Sequence, residues 1–311
     1  MADEAAVRGA LAEMLERIEM TPQEIEALTS RARDAAYWTG LAPGLTIGQP
    51  APPQDALVDD ECARMAAEHL RRDRYFKTDP VIGTDALVEL NRAIDAVHAA
   101  GWPAVFALVY DSFWTCFRHP FISRLVSGHF GGDYRQIPHV WVHVVPARSG
   151  ARGWMPHFDD VLRSRRLTVW VALNEATVDN GCIHIIPPDS LPDSFRTTNF
   201  DSNVVMRDAL RAMHATRALE AEAGALLGWE FDVFHWGGRA AAPKAERRSI
   251  SLEFLAAGEA TYPNEIPLLD VTGSLPDFGL RLRVISIALE SYAGREAALR
   301  RFRAVAPRLV A

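Results

Sequence analysis

The sequence predicts a mainly β fold, a double-sheet barrel or jelly roll with flanking helices. Short segments after residue 135 alternate apolar and polar residues with a period of two, which is typical of strands that bury one face. Turn residues such as Asp179-Asn180-Gly181 separate these segments, and the chain lacks a regular strand–helix–strand alternation. The first third has helical spacing instead. We therefore expect a single domain over residues 1–311, with N-terminal helices buttressing a β core.

Helices are predicted at several places in the first 130 residues. Residues 7–18 carry apolar side chains at helical spacing, and Thr21 with Glu24 three positions later forms a capping box. The sequence also predicts helices at Glu61–Arg72, at Asp85–Ala99 and within Ala104–His129. We divide the chain into a helical extension (1–65), a jelly-roll region (about 70–255) and a C-terminal loop and helix (256–311).

The predicted strands have one apolar face and one face of different character. In "HVWVHVV" (139–145), His139, Trp141 and His143 lie opposite three valines. In "RLTVWVALNEA" (166–176), Thr168 and Trp170 lie opposite a leucine and valine face. Further strands are predicted in "GCIHIIP", "ALLGWEFDVFHW" and "RRSISLEFLA", and a long polar loop is predicted at 187–222.

Composition narrows the class of partner. The net charge of −7 argues against nucleic acid or an anionic membrane as the main partner, and no run of 18 apolar residues is present. The three cysteines are far apart in sequence and favour a reduced, cytoplasmic setting over a disulfide framework. We expect a small-molecule partner, and the sequence leaves the oligomeric state open.

His157 and Asp159 form the chain's one His-x-Asp pair. Residues two apart on an extended segment point the same way, so both side chains can reach one ion. His235 closes an apolar segment before Gly237-Gly238 and is the candidate second histidine. Two imidazoles and a carboxylate on one face of Fe(II) leave positions open for a cosubstrate and oxygen. Among 10 histidines and 40 acidic residues, a chance pair beside solvent explains the motif alone equally well.

Arg247 shares one face of its predicted strand with Ser249, while Arg248 shares the opposite, apolar face. An arginine on an inward face is costly unless it pairs with an anion. Guanidinium binds a carboxylate bidentately and a nearby hydroxyl adds a donor, so a dicarboxylate such as 2-oxoglutarate suits this face. A register slip of one residue would exchange the faces and make Arg248 the ligand, but the alternation favours Arg247.

His139 and His143 permit two interpretations. They either line a substrate pocket or are hydrogen-bonded histidines in a partly polar barrel interior. Trp141 lies on the same strand face and is a candidate for the wall of the cosubstrate or substrate pocket. The pattern of residues alone favours neither interpretation.

Four segments carry a resemblance to a known family: "PHFDD", "LTVWVALNEATVDNGCIHIIP", "GALLGWEFDVFHWGG" and "RRSISLEF". In this order and spacing, over about residues 135–255, they resemble the phytanoyl-CoA dioxygenase-like family of Fe(II)/2-oxoglutarate-dependent oxygenases. The resemblance implies a double-stranded β-helix, or cupin-like jelly roll. It also implies O2-dependent oxidation, most simply hydroxylation of a small organic molecule with release of succinate and CO2.

The resemblance also assigns roles to individual residues. It implies that iron is bound by His157, Asp159 and His235 and that Arg247 binds the distal carboxylate of 2-oxoglutarate. It matches Trp170 to a position that lines the cosubstrate pocket. The strand faces add Thr168, Ser249 and Trp141 as candidates for that pocket. The substrate pocket is expected to include His139, His143 and Phe158.

Two rival functions keep the fold. A cupin-type isomerase or lyase would keep the metal but would need no arginine for 2-oxoglutarate, and a non-catalytic binding protein would need no complete ligand set. The presence of Asp159 disfavours halogenation, because related halogenases carry a small residue there. Phe158 stands where the family often has glutamine. It lies between the ligands and faces away from the metal, so we expect it to change packing more than catalysis.

Overall fold

The computed structural model describes residues 20–49, 60–160, 165–197, 206–241, 245–271 and 273–310. Its helices are α1 (Pro22–Ala32), α2 (Ala35–Leu41), α3 (Asp60–Asp73), α4 (Thr84–Ala99), α5 (Asp111–Phe117), α6 (Pro120–Phe130), α7 (Ser194–Thr197), α8 (Met206–Ala215), α9 (Phe278–Tyr292) and α10 (Ala297–Arg300). Short 3₁₀ helices occupy Ala104–Val109, Pro188–Ser190, Pro263–Glu265, Arg301–Ala304 and Ala306–Arg308.

The strands are β1 (Tyr75–Pro80), β2 (Tyr134–Val145), β3 (Arg166–Ala172), β4 (Ile183–Ile186), β5 (Arg217–Leu219), β6 (Ala225–Glu230), β7 (Phe234–Gly237) and β8 (Arg247–Ala256). Within the described residues, a five-stranded sheet has the order β1-β6-β3-β8-β2 and a three-stranded sheet the order β5-β4-β7. All neighbouring pairs are antiparallel. The structure has two antiparallel sheets, covered by helices, in which neighbouring strands are not consecutive in sequence. This arrangement confirms the predicted jelly roll.

Helix positions follow the local sequence. The Thr21 side chain accepts a hydrogen bond from the Glu24 amide, and Glu24 bonds back to the Thr21 amide, which confirms the predicted capping box at the start of α1. The predicted helix of α4 begins one residue earlier than expected, at Thr84. The helix predicted at 7–18 lies outside the described residues.

The large sheet has two different faces, as the alternation predicts. Val169, Ile250 and Leu252 are fully buried in the core that the sheet shares with the helices. On the opposite face, Trp170 and Leu227 pack with residues of the small sheet in a second core. Because one face is closed by helices, the other face is left to form the interior of the jelly roll, where polar side chains of β3 and β8 can meet a ligand.

Two expectations about the chain's course are wrong. The segment "ALLGWEFDVFHW" is two strands, because a turn closed by the Val233 N–H and the Glu230 carbonyl (2.9 Å) moves the chain from the large sheet to the small one. The predicted loop at 187–222 contains helices α7 and α8 and strand β5 within its described residues. The amphipathic spacing of 206–215 was the overlooked indication.

The C-terminal helix α9 packs against β2 and brings a buried ion pair to the body of the protein. Arg281, which is fully buried, donates from Nη2 to Asp111 Oδ1 at 2.6 Å and from Nη1 to the Val109 carbonyl at 2.7 Å. Asp111 also accepts from the Gly48 and Gln49 amides at 2.8 Å. The C-terminal helix is therefore fixed beside the jelly roll. None of the helices in the described ranges is long and apolar enough to cross a membrane.

Candidate metal centre and cosubstrate pocket

The backbone brings the His-x-Asp pair against strand β7. His157 and His235 exchange N–H to carbonyl hydrogen bonds, both 3.0 Å, as an isolated antiparallel bridge. The Asp159 amide donates to the Phe231 carbonyl at 3.0 Å, at the turn between β6 and β7. Residues almost eighty positions apart in sequence thus become neighbours, and the two histidines and the aspartate face one point.

The candidate ligand atoms of His157, Asp159 and His235 all lie within 4.8 Å of one another. Asp159 Oδ1 is 3.6 Å from Nε2 of each histidine. Each Nδ1 contacts a backbone carbonyl: Met155 at 2.7 Å for His157 and Val233 at 2.9 Å for His235. Because a carbonyl accepts only, each Nδ1 carries the proton and each Nε2 presents a lone pair to the common point.

These residues fit a divalent transition metal. His157 Nε2 is buried and has no hydrogen-bond partner among the described residues, which is costly for a polar atom unless a ligand completes it. Burial lowers the pKa of His235 to about 4, so its imidazole is neutral at neutral pH, as a metal ligand must be. Two imidazoles and one carboxylate on one side of a point are the donor set of a non-haem Fe(II) centre.

Asp159 is oriented by two donors to its second oxygen. Thr168 Oγ1 donates to Oδ2 at 2.8 Å, and Trp229 Nε1 donates to the same atom at 3.0 Å. Burial alone would raise the pKa of Asp159, but His235, His157 and the Thr168 hydroxyl outweigh it and hold that pKa well below its ordinary value. The carboxylate is therefore ionised, with Oδ1 left for a metal.

Arg247 is the most unusual buried group of the interior. Its side chain is 0% exposed, and Nε and Nη2 have no hydrogen-bond partner in the part of the chain that the structure describes. Nη1 donates to Ser249 Oγ at 3.4 Å, and the guanidinium carbon lies 5.6 Å from the centre of the Trp170 ring. Burial lowers the pKa of Arg247 to about 10, so it stays charged at neutral pH. A buried cation with unused donors requires an anion.

Arg248, the alternative, lies on the other face of β8. Its guanidinium donates to Asp95 Oδ1 at 2.5 Å, to Glu246 Oε1 at 2.6 Å and to Asn91 Oδ1 at 3.2 Å, so it is paired against helix α4. The register that places Arg247 inward is the one predicted from the apolar alternation.

Arg247 and the candidate metal ligands line one cavity, which we call the inner cavity. It is bounded by Asp159, Thr168, Trp170, Arg247, Trp141 and His143. Ser249 supports Arg247 and does not line this cavity. A Cβ at Gly153 would lie 2.9 Å from Arg247 Nη2 and 2.8 Å from Gly237 Cα, so glycine at this position leaves room for the guanidinium.

A second cavity, the outer cavity, adjoins the same candidate metal ligands. It is lined by His139, Phe158, Asp160, Glu253, Tyr262 and Arg295, together with His157, Asp159, Trp154 and Tyr292. His139 and Phe158 are therefore in this cavity, whereas His143 lies in the inner one and contacts Glu296 Oε1 at 3.3 Å. Phe158 also packs against Phe234 (ring centres 5.0 Å apart), the packing role expected of it.

Sequence reasoning missed the residues that reach the site from the C-terminal region. Tyr292 of α9 is buried with its ring 4.5 Å from Trp141 and 4.9 Å from Trp154. Glu296 accepts from Trp154 Nε1 at 3.2 Å and holds His143. Their sequence neighbourhood carries no motif, and only the packing of α9 on β2 brings them in. Trp229 is a further residue of the site, because its indole N–H donates to Asp159. Its register opposite Thr168 on β3 could have indicated this contact.

A jelly roll with a vicinal His-x-Asp pair, a distant histidine and an inward strand arginine defines a class, the non-haem Fe(II)/2-oxoglutarate-dependent oxygenases. The comparison with protein families agrees: the model described as phytanoyl-CoA dioxygenase (PhyH) matches residues 51–249. The chain belongs to the phytanoyl-CoA dioxygenase family. It is thus an enzyme of the oxygenase type whose cofactors are Fe(II), 2-oxoglutarate and O2. No curated protein matches the sequence.

Solved structures share the fold at low sequence identity. The epimerase SnoN from nogalamycin biosynthesis, in complex with Fe3+, α-ketoglutarate and nogalamycin RO, is 20% identical over 70% of this chain and 95% of that chain, with a TM-score of 0.53. The carbocyclase SnoK from the same biosynthesis is 17% identical over 71% and 91%, with a TM-score of 0.52. EctD from S. alaskensis with bound Fe is 16% identical over 74% and 91%, with a TM-score of 0.50.

The two donors to Asp159 give a first testable prediction. Replacing Thr168 with valine, or Trp229 with phenylalanine, removes one hydrogen bond to Oδ2 and is expected to weaken Fe(II) binding by about tenfold, since partners of ligands typically contribute 10- to 100-fold. Equilibrium titration of the metal-free protein with Fe(II) under argon measures this. Thr39→Val, whose exposed hydroxyl bonds only within α2, is the matched control and should leave metal affinity unchanged.

Proposed function

We propose that the enzyme hydroxylates a C–H bond of a small organic molecule, with iron held by His157, Asp159 and His235 and 2-oxoglutarate held by Arg247. The observation that carries this proposal is the buried Arg247 with its unused donors beside the converging ligand atoms. A cupin-type isomerase or lyase would have no use for that cation. A binding protein would have no need of ligand atoms held in this way.

The side chains of the candidate site then have defined roles. Arg247, supported by Ser249 and lying over Trp170, would bind the distal carboxylate of 2-oxoglutarate. Thr168 and Trp229 would hold Asp159 so that a single oxygen faces the metal. The iron centre, when bound with its cosubstrate, supplies oxidation of the substrate by O2, one oxygen atom entering the product and the other entering succinate as CO2 leaves.

The aromatic side chains around the metal-ligand residues would exclude water from the reaction. Trp154 lies 5.7 Å, ring centre to ring centre, from His157, and Trp229 lies 4.5 Å from His235. The Tyr292 hydroxyl remains neutral, because burial and the charges of Glu253 and Asp159 raise its pKa well above the ordinary value. Such walls keep a reactive site dry while the outer cavity admits a substrate.

Labelled oxygen tests the proposal. A substrate screen by succinate release is followed by turnover under 18O2, and we expect one labelled atom in succinate and one in the hydroxylated product. The label could instead appear in succinate and be absent from an epimerised or cyclised product. The reaction would then be an epimerisation or a ring closure, as the names of SnoN and SnoK describe, and not a hydroxylation. Conversion of a substrate without any consumption of 2-oxoglutarate would contradict the oxygenase assignment of this site.

A further inference from the structure

Glu253 is a carboxylate of the interior for which the proposed oxidation has no use. It lies on β8 on the same face as Arg247 and pairs in register with Thr168 of β3. Its side chain lines both the inner and the outer cavity, so it lies at the boundary between the two cavities. A carboxylate taken this far from water is retained at a cost, which a ligand can offset.

The hydrogen bonds of His139 define what Glu253 offers. His139 Nε2 contacts the Asn264 carbonyl at 2.9 Å and therefore carries a proton, while Nδ1 contacts Glu253 Oε2 at 3.3 Å. Whichever of the two groups holds the proton between them, Glu253 Oε1 remains an acceptor. It makes no hydrogen bond to the described residues. A ligand with an N–H or O–H group could donate a hydrogen bond to this oxygen.

The other charges of the outer cavity disfavour an anionic ligand. Glu265 is held by Arg166 at 2.9 and 3.1 Å, and Asp160 accepts from the Tyr262 hydroxyl at 2.9 Å. Among the described residues that line the cavity, Arg295 is the only arginine or lysine, and its guanidinium lies 4.8 Å from the centre of the Trp154 ring. A phosphate or carboxylate would face Glu253 and Asp160 with a single exposed cation to compensate.

The aromatic wall of the outer cavity suits a small ligand with an apolar part. Trp154, Tyr292, Phe231 and Phe158 line it together with the polar groups. An apolar wall with a few placed polar atoms fixes the orientation of a small ligand.

From these contacts we infer that the substrate is a small, non-anionic molecule that presents an amino or hydroxyl group to Glu253. The inference rests on the proposed function, because it takes the cavity beside the metal-ligand residues as the substrate site. It removes phosphorylated and CoA-bearing compounds from the candidates, since their charges have no counterpart here.

Four probes that share one ring and differ in the head group test the inference: cyclohexylmethylamine, cyclohexylmethanol, cyclohexanecarboxylate and cyclohexylmethyl phosphate. Binding to the full-length protein with Zn(II) and saturating 2-oxoglutarate is measured by saturation-transfer NMR. We expect the amine and the alcohol to bind about tenfold or more tightly than the two anions, the size of one hydrogen bond to a charged group.

Variants at Glu253 separate the two donors. Glu253→Met is expected to abolish the preference for both. Glu253→Gln keeps an acceptor without the charge and should preserve binding of the alcohol while weakening that of the amine by about tenfold. Glu89→Met, an exposed acid on α4, is the matched control and should behave as the unaltered protein.

Two results overturn the inference. One is equal or absent binding of all four probes. The other is tighter binding of an anion that Arg295→Ala removes and Glu253→Met leaves intact. Failure of the proposed function can be distinguished from failure of this inference. If the proposed function is wrong, the unaltered protein will show no absorption that depends on Fe(II) and 2-oxoglutarate.

Discussion

Arg247→Ala is expected to raise the KM for 2-oxoglutarate on the order of 100-fold. The substitution removes the buried charge that would pair with the distal carboxylate of the cosubstrate and leaves that carboxylate buried without a partner. The side chain is fully buried and its Nε and Nη2 donors are unused by the described residues, so the lost contacts would be those to the cosubstrate. Steady-state kinetics with varied 2-oxoglutarate measure the effect. Turnover at saturating cosubstrate should fall less than the KM rises.

The neighbouring arginine provides the control. Arg248→Ala removes ion pairs to Asp95 and Glu246 on the helix side of the same strand, so it should lower the melting temperature while leaving the KM for 2-oxoglutarate within about twofold. Arg247→Lys should recover part of the affinity, since a lysine keeps the charge without the bidentate geometry. A raised KM in Arg248→Ala and an unchanged one in Arg247→Ala would contradict the assignment of the two faces.

Asp159→Ala is expected to lower the turnover number by about a thousandfold or more, since the group would lose the sole carboxylate among the three candidate ligands. Metal content after anaerobic loading with Fe(II), measured by elemental analysis, should fall in parallel. The circular dichroism spectrum should stay that of the unaltered protein, because Asp159 lies outside the strands and its backbone contacts to Phe231 are kept.

Asp79→Ala is the matched control for this prediction, since Asp79 is exposed on β1, far along the chain from the candidate site. It should retain both metal and turnover. His157→Ala and His235→Ala should follow Asp159→Ala. Full activity in any of these three variants would mean that the metal-ligand residues are misassigned.

The interior of the jelly roll was predictable from alternation because a strand has only two faces. Val169 and Ile250 identify the face that the helices cover, and this places Trp170 and Arg247 on the other face. The choice of Arg247 over Arg248 therefore needed only the period of two. The same reasoning applied to Trp229 on β6 would have placed it beside Thr168, where its indole N–H contacts Asp159.

Other parts of the site depend on contacts that no local pattern encodes. His235 reaches His157 because a turn at Phe231–Val233 carries the chain from one sheet to the other, whereas the continuous apolar run suggests one strand. Tyr292 and Glu296 belong to a C-terminal region without a motif, and their place follows from the packing of α9 against β2. Long-range packing, rather than periodicity, decides such positions.

We propose that the three candidate ligand residues and Arg247 bind Fe(II) and 2-oxoglutarate together at one site. Visible absorption of the anaerobic protein reports on this shared site, because 2-oxoglutarate bound to Fe(II) produces a weak charge-transfer band. We expect the band in the unaltered protein, a band that needs far more cosubstrate in Arg247→Ala, and none in Asp159→Ala. A protein that binds Fe(II) and 2-oxoglutarate without this band, or a band that persists unchanged in Asp159→Ala, would contradict the claim.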